Sequence, residues 1–581
     1  MKPQITYNIR PGASSSRLIH IELTIENNQS KVLEVCLPKW RPGRYELGNF
    51  ARNIYQFSTR DALTGKELSC QKQSSHQWFI QTEGASTIRI IYSYYAAELN
   101  AGSTFLDNSQ LYINPVNCCL YLPGRTHEPC LLHLDIPAAW LVATALPPAG
   151  QAQTLLADSF DTLADSPLIA SENLQYKQFE LNSHTFFIWF CGDVNPNWEQ
   201  LLVDFRKFCE VQLHMMGPLP LSTYHFLFQI TPHPFYHGVE HLASTVCALG
   251  PGYKLFKPAL YRELLGVSSH ELFHAWNIKY IRPLEMYPYD YSKENYSRMG
   301  WVYEGITTYY GDQFLIRAGV FSETDFLDTL NDKLRKHFTS YGRFNQAVAE
   351  ASFDTWLDGY VTGIPHRKTS IYTEGSLVAF IFDQMIREAT NDQCSLDDFM
   401  RGLLMVAKDQ KGYSRSELIA LLSDLCQQNI EETYRVLVET ASDLEPLLRK
   451  YGQRLGLQLQ IEKPYSPVEH QLGFLLLEGS QEQVKLVAPD SPAEKAGLAA
   501  GDQIIAINGW RNRQQLTSYN NVPSPLQLHV FSGEVLRTLN INTSQNQPMF
   551  FLSRRFCFMP EPENACKQAW KSWTGTTYPK I

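Results

Sequence analysis

Along the first 192 residues apolar and polar positions alternate in short runs, as in LIHIELTIE (18–26), STIRIIYSYY (86–95) and HTFFIWF (184–190), separated by clusters of Gly, Pro, Asn and Ser. A period of two turns every second side chain to one face, so this stretch predicts the strands of a β-sandwich-like domain over 1–192. The segment PKWRPGRYELGNF (38–50), with two prolines and two glycines, breaks the alternation and predicts a loop packed by its own aromatic rings. From 193 to 453 the period lengthens towards 3.6, in WEQLLVDFRKFCEVQLHMM (198–216), YRELLGVSSHELFHAW (261–276), GSLVAFIFDQMIREA (375–389) and LDDFMRGLLMVAKD (396–409). That predicts a mostly helical domain. Within it TYHFLFQIT (223–231) reads as a strand of a small sheet, and PHPFYHGVEH (232–241) as the loop after it.

Beyond residue 454 strands return, in LGLQLQI (455–461), LGFLLLEG (472–479) and the run from Gln483 to Trp510. Ser491 and Pro492 supply an N-cap and a first-turn proline for a short helix that Gly497 ends. The chain thus divides into 1–192, 193–453, a third module over 454–555 and a tail over 556–581. No repeat of 20 to 50 residues and no low-complexity stretch interrupts this order.

Composition narrows the function. A chain of 581 residues, 44% apolar, buries more than one core. Its formal charge of −9, without a long like-charge run, repels a polyanion and argues against nucleic acid as partner. The N-terminal MKPQITYNIRPGASSS lacks the apolar region of a secretory leader, and no stretch of roughly 20 apolar residues suggests a membrane span. The expected compartment is the cytoplasm. Twelve scattered cysteines match neither a metal knuckle nor a disulfide framework, so they read as free and mostly buried thiols.

The chemistry-bearing motif is HELFH. On a helix His270 and His274 stand at i and i+4 on one face, where two imidazoles reach one metal ion. Glu271 lies about 100° round the helix, beside the ion without ligating it, as a general base for the attacking water. Chance alone places such a string in a chain of this composition a few times in a hundred, roughly. A hydrolytic zinc needs a third protein ligand and an open position. Glu304, in GWVYEGITTYYGD with aromatic and apolar residues at helical spacing, is the candidate.

HELFHAWNIKYIRP followed by WVYEGITTYYGD, with PKWRPGRYE upstream and a PDZ-like segment near the end, resembles the glycyl aminopeptidases of peptidase family M61. The resemblance runs in order over almost the whole chain. It implies a multidomain α+β chain: a β-rich N-terminal domain, a thermolysin-like catalytic domain of the gluzincin class holding one Zn2+, and a C-terminal PDZ domain. In HGVEH it implies that Glu240 grips the substrate's α-ammonium beside Gly238, with His237 in place of the first glycine of the related stretch. In IYTEG it implies that the Tyr372 hydroxyl supports the oxyanion, with Glu374 where lysine is usual. It also implies peptides with a free N-terminus as substrates, glycine or alanine preferred. QLGF, including Leu472, Gly473 and Phe474, stands where a PDZ domain captures a peptide C-terminus. Two other readings use the same residues: a zinc endopeptidase or dipeptidase, and a peptide-binding scaffold with a structural or degenerate metal centre. His and carboxylate ligands also accept cobalt, nickel or manganese.

Overall fold

The structure, a computed structural model, describes residues 3–480, 482–512, 523–543 and 548–580. Alternating side chains build the N-terminal region as expected. In Leu18–Ile25 every second residue is buried, and this strand lies within a six-stranded sheet with Ile5–Pro11, Ile88–Tyr95, Ile54–Asp61, Cys130–Leu134 and Thr154–Ala157. Ile5–Pro11 pairs parallel with Cys130–Leu134 and antiparallel with Leu18–Ile25. A four-stranded sheet (Leu141–Thr144, Leu168–Ser171, Gln110–Ile113, Phe105–Leu106) and a three-stranded one (Val32–Cys36, Gln77–Gln81, Cys70–Lys72) complete this region. Its buried core runs from Ile5 to Ala170.

A fourth, five-stranded sheet begins earlier than the change of sequence period suggested. Its order is Gln175–Leu181, His184–Cys191, Thr223–Ile230, Ser244–Gly250, Phe235–Glu240. The first two strands precede residue 192, yet His184–Cys191 pairs parallel with Thr223–Ile230, so backbone hydrogen bonding ties them to the helical body. The alternation of HTFFIWF identifies a strand but says nothing of which sheet it joins. Residues 235–240, expected in a loop, form the edge strand, pairing antiparallel with Ser244–Gly250. The Pro and His residues before Phe235 masked it in the sequence.

Helices Trp198–Met216, Pro258–Phe273, Thr307–Arg317, Glu323–Thr339 and Ile371–Ala389 pack on this sheet and on one another around the largest core. Leu457–Glu462 pairs antiparallel with Ser553–Phe558, and Asn331 holds the latter through both its amide atoms to the backbone of Phe556, at 2.7 and 3.1 Å. Between these strands sits the PDZ-like body with its own small core, including Leu472, Phe474, Ile504 and Val530. Its short helix Pro492–Lys495 starts with the Ser491 side chain accepting from the Glu494 amide, and Gly497 follows at φ 87°. The segment after 555 ends in a docked helix, Asn564–Thr574, whose Trp570 and Trp573 are buried in the catalytic core. All twelve cysteines are free, eight of them buried. Among the described residues no helix is long and apolar enough to cross a membrane.

Candidate metal centre

His270 stands in the last turn of Pro258–Phe273 and His274 caps that helix. Their Nε2 atoms lie 3.0 Å apart. Glu304 Oε2 lies 3.5 Å from His274 Nε2 and 3.7 Å from His270 Nε2. Donors bound about 2.0–2.1 Å from a tetrahedral zinc stand roughly 3.3 Å apart, so the three residues fit one ion. Glu304 is carried by a π-helical turn, Trp301–Ile306, which leads into Thr307–Arg317. Single π turns inside helices recur at functional sites. Gly311, two turns on, allows the approach of the motif helix: a methyl there would lie 3.3 Å from His270 Cβ.

Asn277, which the motif did not single out, ties these parts together. Its backbone oxygen accepts from His274 Nδ1 at 3.0 Å, which leaves Nε2 free as the donor to a metal. Its side-chain amide donates to Val302 O and Thr307 Oγ1, each at 2.9 Å, on the segment that carries Glu304. The bond that orients His274 passes through a backbone atom, and the side-chain bonds reach residues 25 and 30 positions on, so residue type alone gives little signal for the role.

Glu271 and Glu240 are buried beside the two imidazoles, and one ligand atom from each joins His274 in a second cluster within 4.8 Å. Glu271 Oε2 and Glu240 Oε1 have no hydrogen-bond partner in the chain. Burial opposes a charged imidazole at 274, but Glu240, Glu304 and Glu271 outweigh it and push His274 up to about 9. Burial, and then Glu240 and Glu304, push Glu271 above the usual carboxylate range, against the pull of His274. Such an excess of buried carboxylate suits a divalent cation and a cationic ligand.

Edge strand Phe235–Glu240 forms one wall of a cleft of about 370 Å³ that also exposes His270, Glu271, Glu304 and Tyr372. Gly238 lies against the Glu271 carboxylate, where a side chain would collide with it. His237, one step along the strand, also lines the cleft. Burial, with Arg41 and Arg44, pulls this imidazole down to about 3, so it is neutral at neutral pH. Tyr372 opens the helix Ile371–Ala389, and its hydroxyl interacts with that of Tyr360. Glu374 faces away from the cleft, 2.6 Å from His337 Nδ1. At the Glu240 end the loop of residues 38–48 closes in. Gly43, at φ 90°, leaves no room for a side chain, because a methyl would meet Glu240 Oε2 at 2.5 Å.

In the PDZ-like body Leu472 ends the helix Pro467–Leu472, Gly473 caps it in the left-handed region, and Phe474 begins a strand. The Gly473 amide donates to Glu469 O at 2.9 Å. The Leu476 amide donates to Glu469 Oε1 at 3.2 Å. In the loop expected to capture a peptide carboxylate, the Gly473 amide is thus closed into a helix cap and the Leu476 amide is held by the Glu469 carboxylate.

Residues 6–172 match the model of the peptidase M61 N-terminal domain, residues 263–378 that of the M61 glycyl aminopeptidase, and residues 483–522 that of a PDZ domain. Among solved structures, an aminopeptidase N family protein from Idiomarina loihiensis superposes with a TM-score of 0.87 at 26% identity, over 98% of this chain and 100% of that one. An M1 zinc metallopeptidase from Deinococcus radiodurans aligns over 76% of this chain and 94% of its own, at 14% identity and a TM-score of 0.46, too distant to carry an argument. No curated protein matches the chain.

Proposed function

We propose that the chain is a zinc metallopeptidase of the M61 glycyl aminopeptidase type and that it releases the N-terminal residue of peptides with a free α-amino group, glycine and alanine foremost. The observation that carries this reading is the closed end of the cleft. Glu240, 3% exposed, presents an oxygen without a partner there, and the Gly43 loop lies directly behind it. An ammonium is the natural counterion of that carboxylate, whereas an internal peptide nitrogen carries no charge to offset it. The closeness of Gly43 also leaves little room for a chain continuing beyond the amino group, which disfavours the endopeptidase reading. The same crowding supports a small first residue.

His270, His274 and Glu304 would hold the zinc, which when bound polarises the peptide carbonyl and acidifies the attacking water. Glu271, which lines the cleft and whose Oε2 has no hydrogen-bond partner, takes the proton of that water and passes it to the leaving amine. The Tyr372 hydroxyl donates to the carbonyl oxygen as negative charge develops on it. Burial, with the Glu304 charge, raises the hydroxyl's pKa well above the usual tyrosine range, so it keeps its proton. Glu240 fixes the register at one residue.

The test compares free and N-acetylated peptides of one sequence. Wild type should cleave the free form only, and Glu240→Ala should lose most of its activity on it. Equal cleavage of both forms by wild type would remove the exopeptidase reading.

A further inference from the structure

We propose that the end of the cleft opposite Glu240 is a carboxylate subsite with Lys333 as its cation, so that the enzyme reads short peptides at both termini. The inference rests on the aminopeptidase reading and adds a substrate class: oligopeptides of about two to four residues with a free C-terminus.

The edge strand supplies the ruler. Glu240 stands at one end beside Gly43, Gly238 faces Glu271 in the middle, and Tyr236 at the other end lies within the electrostatic reach of Asp312. Four strand steps of about 3.3 Å separate Tyr236 from Glu240, roughly 13 Å, and an extended tripeptide spans about 10 Å. A peptide held by its ammonium at Glu240 and laid along this edge brings its C-terminus towards Asp312 and Lys333, which line the same cleft.

The charges along the cleft are unevenly placed. Glu240, Glu271, Glu304 and Asp312 line it, and Lys333 is the single Lys or Arg among its lining residues. Lys333 reaches in from the helix Glu323–Thr339 and pairs with Asp312, each side chain 16% exposed. An ammonium has three N–H donors, and Asp312 is the one partner found for Nζ among the described residues. Asp312 thus anchors the lysine while two donors stay free for an incoming carboxylate. A carboxylate at one end and an ammonium at the other complement a short zwitterionic peptide and no longer chain.

The experiment measures kcat/KM and KM for triglycine and triglycine amide, both with a free amino group, on wild type, Lys333→Gln and Lys333→Arg. Wild type should favour triglycine by about tenfold to a hundredfold, mainly through KM, as a charge-assisted hydrogen bond predicts. Lys333→Gln should bring the ratio near one, and Lys333→Arg should retain much of it. A wild-type ratio near one, or an undiminished ratio in Lys333→Gln, overturns the subsite. Failure of wild type to cleave either peptide or glycine 4-nitroanilide would instead overturn the aminopeptidase reading and this inference with it.

Discussion

Gly305, on the turn that carries Glu304, crosses Gly375, on the helix that starts with Tyr372, so closely that a methyl on Gly305 would meet Gly375 Cα at 2.5 Å. Two glycines therefore set the distance between a candidate metal ligand and the proposed oxyanion donor. Gly375→Ala would place a methyl 2.8 Å from Gly305 Cα and 3.1 Å from Trp301 Cα, forcing the two segments apart. We expect about 1–3 kcal/mol of lost stability and a kcat at least about tenfold lower, since small misplacements of catalytic groups cost that much. Denaturant melts and steady-state kinetics on the variant check both.

Asn277 positions rather than ligates. Asn277→Ala keeps the backbone oxygen that orients His274 but removes the two bonds to the Glu304 segment. Zinc affinity should fall about tenfold to a hundredfold, as with other residues that support metal ligands. Competition with a chelator measures it directly, without reference to activity.

Asp165, from the N-terminal region, accepts from buried Lys279 at 2.8 Å, His241 Nδ1 at 3.1 Å and the Leu242 amide at 2.9 Å. Burial raises its pKa, but Lys279 and His241 outweigh burial and hold the carboxyl well below its usual range. A depressed carboxyl contributes stability that is present above its unfolded pKa of about 4 and is lost as pH falls through the folded value. Asp165→Asn leaves Lys279 buried without its nearest counter-charge, and should lose about 3–5 kcal/mol at neutral pH. Its melting temperature should also depend less on pH below about 4 than that of wild type, a comparison that thermal melts across pH settle.

The C-terminal helix is part of the catalytic core. Trp573 Nε1 donates to Tyr309 Oη at 2.7 Å, Tyr309 donates to Asp383 at 2.6 Å, and Arg387 links Asp383 to Ser572. Trp573→Ala should destabilise by about 3–5 kcal/mol, seen as a lower denaturant midpoint. A variant as stable as wild type would show that the helix docks without supporting the core.

In the PDZ-like body, Glu469 beside the Leu476 amide repels a peptide carboxylate. Calorimetric titration of the full chain with free-carboxylate peptides that the active site does not cleave should show no saturable binding there.

The cluster of His270, His274 and Glu304 was legible because helical geometry places i and i+4 on one face, and because Glu304 follows among apolar and aromatic residues at helical spacing. Glu240 was legible only through the resemblance: its strand is short, follows two prolines, and lacks a clean alternation. The π turn under Glu304 and the Gly305–Gly375 crossing depend on pairs of residues about 70 apart, which no local pattern encodes. The docking of Trp570 and Trp573 and the assignment of Gln175–Cys191 to the five-stranded sheet are tertiary choices of the same kind. Lys333 sits on an amphipathic helix among other charges, and nothing local separates it from a solvated surface lysine.

Zinc bound per chain, measured by atomic emission on protein purified with zinc, decides whether His270, His274 and Glu304 share an ion. One zinc is expected in wild type and in an inactive Glu271→Gln, and little or none in Glu304→Gln. A wild type without zinc, or a Glu304→Gln variant that keeps it as tightly, would contradict the three-ligand site.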